Sequence, residues 1–550
     1  MTPSMQSQTL PLSKLPQTSK LFATFLDNFS RVKNYYAHPP DLAGLRDSAR
    51  KVSLDPNTRR EVVDILRAQN TRFDSSGHLD PPTSRNLDRL ASGAVAIVTG
   101  QQVGLFSGPS YSVYKALSAL RWADALTHEG IEAVPVFWLA TEDHDFAEVN
   151  HVFWNTRRGL ARFELPARES DTGHRVGEIP LGDPVLGLLG QALDSLEGPD
   201  VEWVAGALRD SYTPADTLGS AFGKLFARLL AGRGIILFDP LDHGLHRLAA
   251  PIYRRAIEDS EALRHALIAR SKDLENSGFH AQVKVTREST LLFATVDARR
   301  EPLRSRNGNF VAGGESFTRE ELLAAIDRSP ENFTPNVLLR PIVQDTLLPT
   351  AAYIGGPAEI AYMAQVQVVY EKILGHMPAI LPRAGFTLVE PVIARLLKKY
   401  KIDVSELFSG RRRVRSRMEL TSLPSGLAAR LKKDEKTIRR LLASYAKPLE
   451  RLDKTLLGAR DTSERKILHQ FLKLKSQAAR AQAFRSGVID AHERLLLDSL
   501  FPHHGLQERS LCFLPFLAAY GPPLLDSLAR LSCPCDSGPA SSPVHHIIFL

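Results

Sequence analysis

The chain has 550 residues, 43% apolar and 24% charged, enough to bury one large core or two to three ordinary ones, which excludes a disordered or fibrous protein. Its longest apolar runs, such as "AVAIVTG" and "IEAVPVFWLA", fall far short of the roughly 20 residues of a membrane helix, and "MTPSMQSQTLPLSKLPQ" lacks an apolar signal core. A cytoplasmic protein without a membrane partner is expected. The net charge is +8, but much of the excess lies in "GRRRVRSR" (410–417) and on later helices, without the aromatic and basic signatures of nucleic-acid modules. A solvated basic face and no nucleic-acid partner are therefore expected, with a modest attraction for anionic small molecules.

In chain order, residues 18–72 read as helices, "KLFATFLDNFSRVKNYY" and "RREVVDILRAQNTRF", with apolar positions three and four apart. Strand "AVAIVTG" (94–100), a helix from about 109 to 129, strand "AVPVFWLA" (133–140) and later "GRGIILFDP" (232–240) alternate as β-α-β units whose strands are continuously apolar, as buried parallel strands are. This predicts an α/β fold with a doubly wound parallel sheet. Residues 152–215 and 277–335 interrupt the alternation and read as insertions. The pattern resumes with strand, glycines and helix at 350–373 and a short strand at 377–383. These elements place a core at 1–395, a helical region at 396–500 and a C-terminal segment at 501–550.

Beyond Glu390 the chain turns to long helices with basic outer faces. Apolar positions Ile438, Leu441, Tyr445, Leu449, Leu452 and Leu456 step by three and four, as do Ile467, Phe471, Leu474, Ala478, Ala481 and Val488. With "LLGARDTSE" (456–464) as the connection, they predict an antiparallel coiled-coil hairpin, kinked at Pro448. One hairpin buries only part of both seams, so a second copy of the chain is the expected partner, giving a homodimer. The cysteines, Cys512, Cys533 and Cys535, are odd in number and confined to the last 40 residues, which argues against a disulfide framework and favours packing or an exposed tail over a metal or redox role.

Two constellations carry chemistry. The first joins Gly100, Gly104 and Gly108, spaced four apart, to Gln101, Gln102, Tyr111 and Lys115 at a helix start, a turn that is neither a dinucleotide fingerprint nor a phosphate loop. Its companion strand runs into Glu142, Asp143, His144 and Asp145, then Glu148 and His151, where ligands of open α/β sheets bind. If 145–152 is helical, His144, Glu148 and His151 share a face. That admits acid/base catalysis beside a phosphate-bearing substrate, with His144 and its acidic neighbours as catalytic groups, or metal ligation by the three residues in a hydrolase. The simpler alternative is an acidic helix N-terminus meeting the helix dipole. The second constellation is Gly355-Gly356-Pro357 with Glu359 and Tyr362 on the next helix, where glycine leaves amides free for an anion. Arg340, Gln344 and Arg383 add anion-binding or orienting groups, and both turns are placed to face one crevice.

At these motifs a resemblance becomes specific. "TGQQVGLFSGPSYSVYKA", "PVFWLATEDHDFAEVNH", "LLRPIVQDTLLPTAAYIGGPAEIAYMAQ", "PAILPRAGFTLVE" and "LFPHHGLQER" together resemble, in order and over essentially the whole chain, the cysteine-adding enzymes of bacillithiol biosynthesis. The resemblance implies a Rossmann-like core related to that of class I synthetases, two connecting insertions and a coiled-coil domain that mediates dimers. It also implies a ligase that joins cysteine to glucosaminyl-malate through an amide bond. Forming that bond requires an activated carboxyl, so ATP or another nucleotide is expected, with no metal beyond a nucleotide-bound magnesium. His144 would then deprotonate the attacking amine or steady the leaving group. The turn at Gly100–Gly108 would receive malate carboxylates, sugar hydroxyls or a nucleotide phosphate. The sequence has no H-I-G-H-like or K-M-S-K-S-like signature, and "CPCDSGPASSP" departs as a variable insertion. A non-catalytic coiled-coil scaffold that binds a regulatory nucleotide is the remaining alternative.

Overall fold

The computed structural model describes residues 6–74, 77–408, 410–533 and 543–550; Cys535 and most of the variable insertion lie outside them. The chain forms two compact units: residues 8–386 with 508–546, and residues 387–507 with both extreme termini.

The larger unit is organised by five parallel strands: β1 (Val95–Gln101), β2 (Ala133–Leu139), β3 (Ile236–Phe238), β4 (Thr350–Gly355) and β5 (Ala379–Pro382). They lie in the order β5-β4-β1-β2-β3. The chain winds outward from β1 through β2 and β3, then returns to the other side of β1 with β4 and β5. That order is doubly wound, with its switch point between β1 and β4, where the strands' carboxyl ends open a crevice. Alternate residues face opposite sides of the sheet. Val95 and Ile97 of β1, Ala352 and Ile354 of β4, and Ala379 and Leu381 of β5 pack on one side with Trp122 and Leu126 of helix α1 (Tyr111–His128) and Leu45 of helix Leu42–Ala49. Helix α2 (Pro357–Ile373) follows β4 directly.

Both insertions hold sheets of their own. His151–Thr156 and Gly159–Glu164 form an antiparallel hairpin. Five antiparallel strands occupy 289–335, with Ser289–Val296 between Phe333–Pro335 and Arg299–Arg306.

Three elements differ from expectation. The helix anticipated through Tyr36 ends at Asp27 and is followed by a single 3-10 turn, because Asn28 leaves the helical region and accepts Ser30 Oγ–H at 2.6 Å, a local side-chain turn that competes with helix. The segment after Asp145 is helical only over Phe146–Val149, and His151 opens a strand instead of completing a second turn. In the smaller unit, "LLGARDTSE" is not the connection: Leu456–Ser486 is one helix, α5, and Asp453 makes the turn by accepting the Thr455 amide at 2.8 Å.

α5 runs antiparallel to α3 (Ser425–Ser444) and α4 (Ala446–Leu452), with Glu435 facing Lys475 at 3.7 Å and Arg439 facing Glu464 at 3.9 Å. The expected kink falls at Tyr445, which leaves Pro448 in the first turn of α4, where a missing amide costs no intrahelical bond. The seam buried within this unit consists of Leu423, Leu431 and Ala479 with Leu420, Ala428, Phe471 and Ala478. Leu441, Tyr445, Leu452, Ile467, Leu474 and Val488 face solvent instead, and Phe484 is 90% exposed.

Candidate active site

A cavity of about 660 Å³ lies at the switch point, within the larger unit. Residues Gly100–Gln102 after β1, Glu142–His144 after β2, and Gly356 and Glu359 after β4 contribute to its wall. Its volume is in the usual range for small-molecule sites.

Lys115 of α1 and Glu359 of α2 meet beneath the switch point, 2.5 Å apart, with the lysine side chain only 3% exposed. The ammonium also donates to Gly100 O (2.7 Å) and Gln101 Oε1 (2.9 Å), so all three donors are used. Glu359 accepts the Tyr353 hydroxyl at 2.5 Å and the Gly356 amide at 2.8 Å. Burial pulls the Lys115 ammonium below its ordinary value while Glu359 favours its charged form. For Glu359, burial opposes ionisation, but Lys115 and the Gly356 amide outweigh it and hold the carboxyl below its usual range. The pair therefore ties together the helices that follow β1 and β4.

On the β2 side, Gln102 Nε2 donates to Asp143 Oδ2 (2.7 Å) and Glu148 Oε2 (2.9 Å). Burial opposes the Asp143 charge, yet the Gln102 side chain and the His144 backbone amide, which donates to Oδ1 at 2.7 Å, keep the carboxyl well below the usual range. His144 Nδ1 lies 2.9 Å from Arg300 Nη1. Arginine only donates, so Nδ1 accepts and a neutral ring carries its proton on Nε2. His144 is thereby arranged as a proton donor, suited to steadying a leaving group. Arg300 is fixed by Thr334 Oγ1 (2.8 Å) and the Pro335 carbonyl (2.9 Å), and lies 3.7 Å from the centre of the Phe293 ring.

Glu142 is 6% exposed, and burial raises its carboxyl to about 8. Across the cavity, Arg340 donates to Gln344 Oε1 (2.9 Å) and the Tyr362 hydroxyl (3.2 Å) and lies over the Tyr353 ring. Arg383 is paired with buried Glu508 at 2.6 Å. Among the described residues, by contrast, no carboxylate lies within 4 Å of the charged nitrogens of Arg300, Arg340 or Arg509, leaving three wall cations unneutralised by direct pairing.

The cavity thus gathers Gln101, Gln102, Tyr111, Lys115, Glu142, Asp143, His144, Glu148, Arg340, Gly356, Glu359, Tyr362 and Arg383 from the sequence-derived set. Gly104, Gly108, Asp145, Gln344 and Gly355 do not line it. The glycine turn is a packing device: a Cβ on Gly104 would stand 2.9 Å from Gly108 Cα, and Gly108 has φ +65°. The amides of Gly104, Phe106, Gly108 and Ser110 are already paired, to Gln102 O, the Tyr212 hydroxyl, Leu105 O and Leu511 O, so these four are not among the amides an anion could use. At the second turn the Gly356 amide is taken by Glu359, so this amide is not free for an anion. Gly355 sits under Glu359, whose Cβ would be 3.2 Å from an added Cβ. Gln344 is wholly buried, and Asp145 caps the short helix through the Glu148 amide at 3.2 Å.

The shared face of His144, Glu148 and His151 is not formed, because the helix stops before His151, whose Nδ1 meets Asn150 Oδ1 at 3.1 Å. Among the described residues no group of three or more His, Cys, Asp or Glu is arranged to hold a metal. Arg300, Phe293, Trp138, Tyr353 and Arg509 were missed by sequence reasoning; Trp138, Tyr353 and Arg509 stand inside motifs already quoted, whereas Phe293 and Arg300 lie in the second insertion, where no motif had been singled out. The thiols stand apart: Cys512 is buried, lies 3.2 Å from the Phe106 carbonyl and is pushed up to about 12 by burial. Cys533 is disulfide-bonded, a pairing that the odd count had argued against.

Comparison with known proteins covers both units. A family model described as "Bacillithiol biosynthesis BshC, N-terminal Rossmann-like domain" matches residues 5–384, and one described as "Bacillithiol biosynthesis BshC, C-terminal coiled-coil domain" matches residues 386–538. Proteins named "Putative cysteine ligase BshC" are similar along nearly their full length. The one from Koribacter versatilis is 40% identical over 540 residues, 98% of this chain and 99% of the relative. Those from Solibacter usitatus and Salinibacter ruber are 38% and 32% identical, each covering 94% of this chain and 95% of the relative.

Proposed function

The chain belongs to the bacillithiol biosynthesis BshC family, and from that membership and the crevice we propose that it is a ligase joining cysteine to glucosaminyl-malate through an amide bond. The observation that carries this reading is the set of unneutralised cations, Arg300, Arg340 and Arg509, around a cavity that also holds Glu142 and His144. A substrate bearing malate carboxylates complements that wall, and burial strengthens each charge-assisted hydrogen bond it makes there.

Bond formation requires the amine nitrogen of the sugar to attack an activated cysteine carboxyl. ATP or another nucleotide, with its magnesium, supplies that activation. Since the amides of Gly104, Gly108 and Gly356 are occupied, its phosphates would be met chiefly by arginine side chains. Nε2–H of His144 is disposed to stabilise the departing group, and Glu142 to accept the amine proton. A cytoplasmic setting belongs to this reading; no helix among the described residues is long and apolar enough to cross a membrane.

The solvent-facing apolar residues of α3 to α5 support a homodimer through the helical unit, with a second copy covering Leu452 and Phe484. The ligase reading is tested by incubating purified protein with cysteine, glucosaminyl-malate and ATP and following the thiol product by mass. A deletion strain is expected to accumulate glucosaminyl-malate. Absence of both product and accumulation overturns the reading.

A further inference from the structure

Behind Glu142 the structure places a buried histidine that nothing described so far uses. His246 lies on helix His243–Glu258, is 1% exposed, and its Nε2 has no hydrogen-bond partner. An orphaned buried nitrogen is costly to leave unpaired, so its persistence calls for a reason. Its nearest charged neighbour is Glu142 Oε1 at 3.7 Å, and on the other side of the ring Nδ1 faces the Tyr253 hydroxyl at 3.3 Å. His246 and Tyr253 are seven residues apart and share one face of the helix. Tyr253, His246 and Glu142 thus form a line from the protein interior to the cavity wall.

We propose that His246 is a positioning residue for Glu142, holding the carboxyl in its cavity-facing orientation and taking a hydrogen bond from it whenever Glu142 carries a proton. This rests on the ligase reading and extends it. As the amine nitrogen forms its bond to the activated cysteine carbon, the bond from that carbon to the leaving oxygen breaks with its electron pair on the oxygen. The proton lost by the amine passes to Glu142 Oε2 or Oε1. A protonated Glu142 needs an acceptor, and Nε2 of a neutral imidazole is one in the tautomer that carries its proton on Nδ1, toward the Tyr253 hydroxyl; closure from 3.7 Å by about half an ångström to one ångström makes the bond. His246 is suited to this because burial and nearby Arg175 and His243 keep its ring neutral, its value pulled down to about 3. The charges facing Glu142 are Arg300, Arg175 and Arg340, which favour its ionised form, and Asp239, which opposes it. Burial outweighs them, leaving a carboxyl that changes state near neutral pH, as an efficient proton acceptor does.

The arrangement is tested with His246→Phe, which fills the space without a nitrogen, and His246→Gln, which keeps a polar group near Nε2. Phe is expected to lower kcat at least tenfold with KM for glucosaminyl-malate within twofold of wild type, and Gln to restore most of kcat. Equal kcat in all three folded proteins, or a loss confined to KM, overturns the proposal. A readout independent of activity is the pair of ring-nitrogen resonances of His246 in the full-length, histidine-labelled chain, assigned by their disappearance in His246→Gln. They are expected to move on Glu142→Gln; if they do not, the proposal falls whatever the substrate. An inactive wild type whose His246 resonances do respond to Glu142→Gln removes the ligase reading and leaves the coupling standing.

Discussion

The switch-point cavity and the helical unit violate the ordinary partition of residues in opposite senses. In the cavity wall, charge is buried: Lys115, Glu359, Arg300 and Arg383 lie in a low-dielectric setting where ion pairs cost about as much to desolvate as they return. Along α3 to α5, apolar surface is exposed, with Leu452 at 78% and Phe484 at 90%. Neither arrangement is explained by the stability of an isolated chain. On the proposed reading the first presents fixed charge to a substrate, and the second presents apolar surface to a second copy of the chain.

The largest effect should come from breaking the buried clamp. Glu359→Ala leaves Lys115 in the interior without its counter-charge and is expected to cost about 3–5 kcal/mol, read as a lowered urea midpoint. Adding Lys115→Met to that variant should return much of the loss. If the single variant is as stable as wild type, the clamp is not the tie between the two halves of the sheet.

Next in size is a pH effect at Glu142. Its carboxyl binds a proton in the folded state up to about pH 8, whereas the unfolded chain releases it near 4.5. From 4.5 to 8 the native state holds the extra proton, so stability falls as pH rises, by about 1.4 kcal/mol per unit for one proton. Glu142→Gln removes this dependence, and its stability relative to wild type should climb across that window. His246 has the opposite slope between about 3 and 6.5, so the difference is read above pH 6.5, where that ring is neutral in the folded and unfolded states alike. A flat difference would show that Glu142 titrates normally.

Arg509→Ala should raise KM for glucosaminyl-malate about tenfold, or about 1.4 kcal/mol, with little change in folding stability because the side chain is exposed and unpaired by carboxylate. In the helical unit the stability effects should be smallest. Leu452→Glu with Phe484→Glu should change unfolding free energy by no more than about 0.5 kcal/mol, yet halve the mass seen by light scattering. A wild type that is monomeric at micromolar concentration, or a variant of unchanged mass, would leave the exposed apolar surface without the partner assigned to it.

What was legible in the sequence follows the same division. β1, β2 and β4 declared themselves as continuous apolar runs ending in glycine or acidic residues, because buried parallel strands need no long-range information to be seen. The converging residues at their ends, Gln102, Asp143, Lys115 and Glu359, followed from the strand ends alone. Arg300 did not, because "RREPLRSR" alternates like any surface strand, and only antiparallel pairing with Ser289–Val296 and Phe333–Pro335 carries it to His144. The amides of Gly104, Gly108 and Gly356 were already taken, by Gln102 O, Leu105 O and Glu359, partners that composition does not display. In the helical unit, periodicity revealed the hairpin but not its register. Spacing identifies a stripe, while which stripe turns inward depends on where Asp453 places the bend.

The carboxylate of Glu359 on the Gly356 amide has one more consequence. Doubly wound proteins commonly leave the turn after the first strand beyond the switch point open to diffusible phosphate. Here the site is filled by a tethered anion, whose effective concentration is in the millimolar range or above. Free phosphate or sulfate at cellular levels competes poorly against an occupant that cannot diffuse away. The Gly356 amide is thereby closed to the commonest small anions of its surroundings, and recognition of a ligand's charge falls to the arginines opposite.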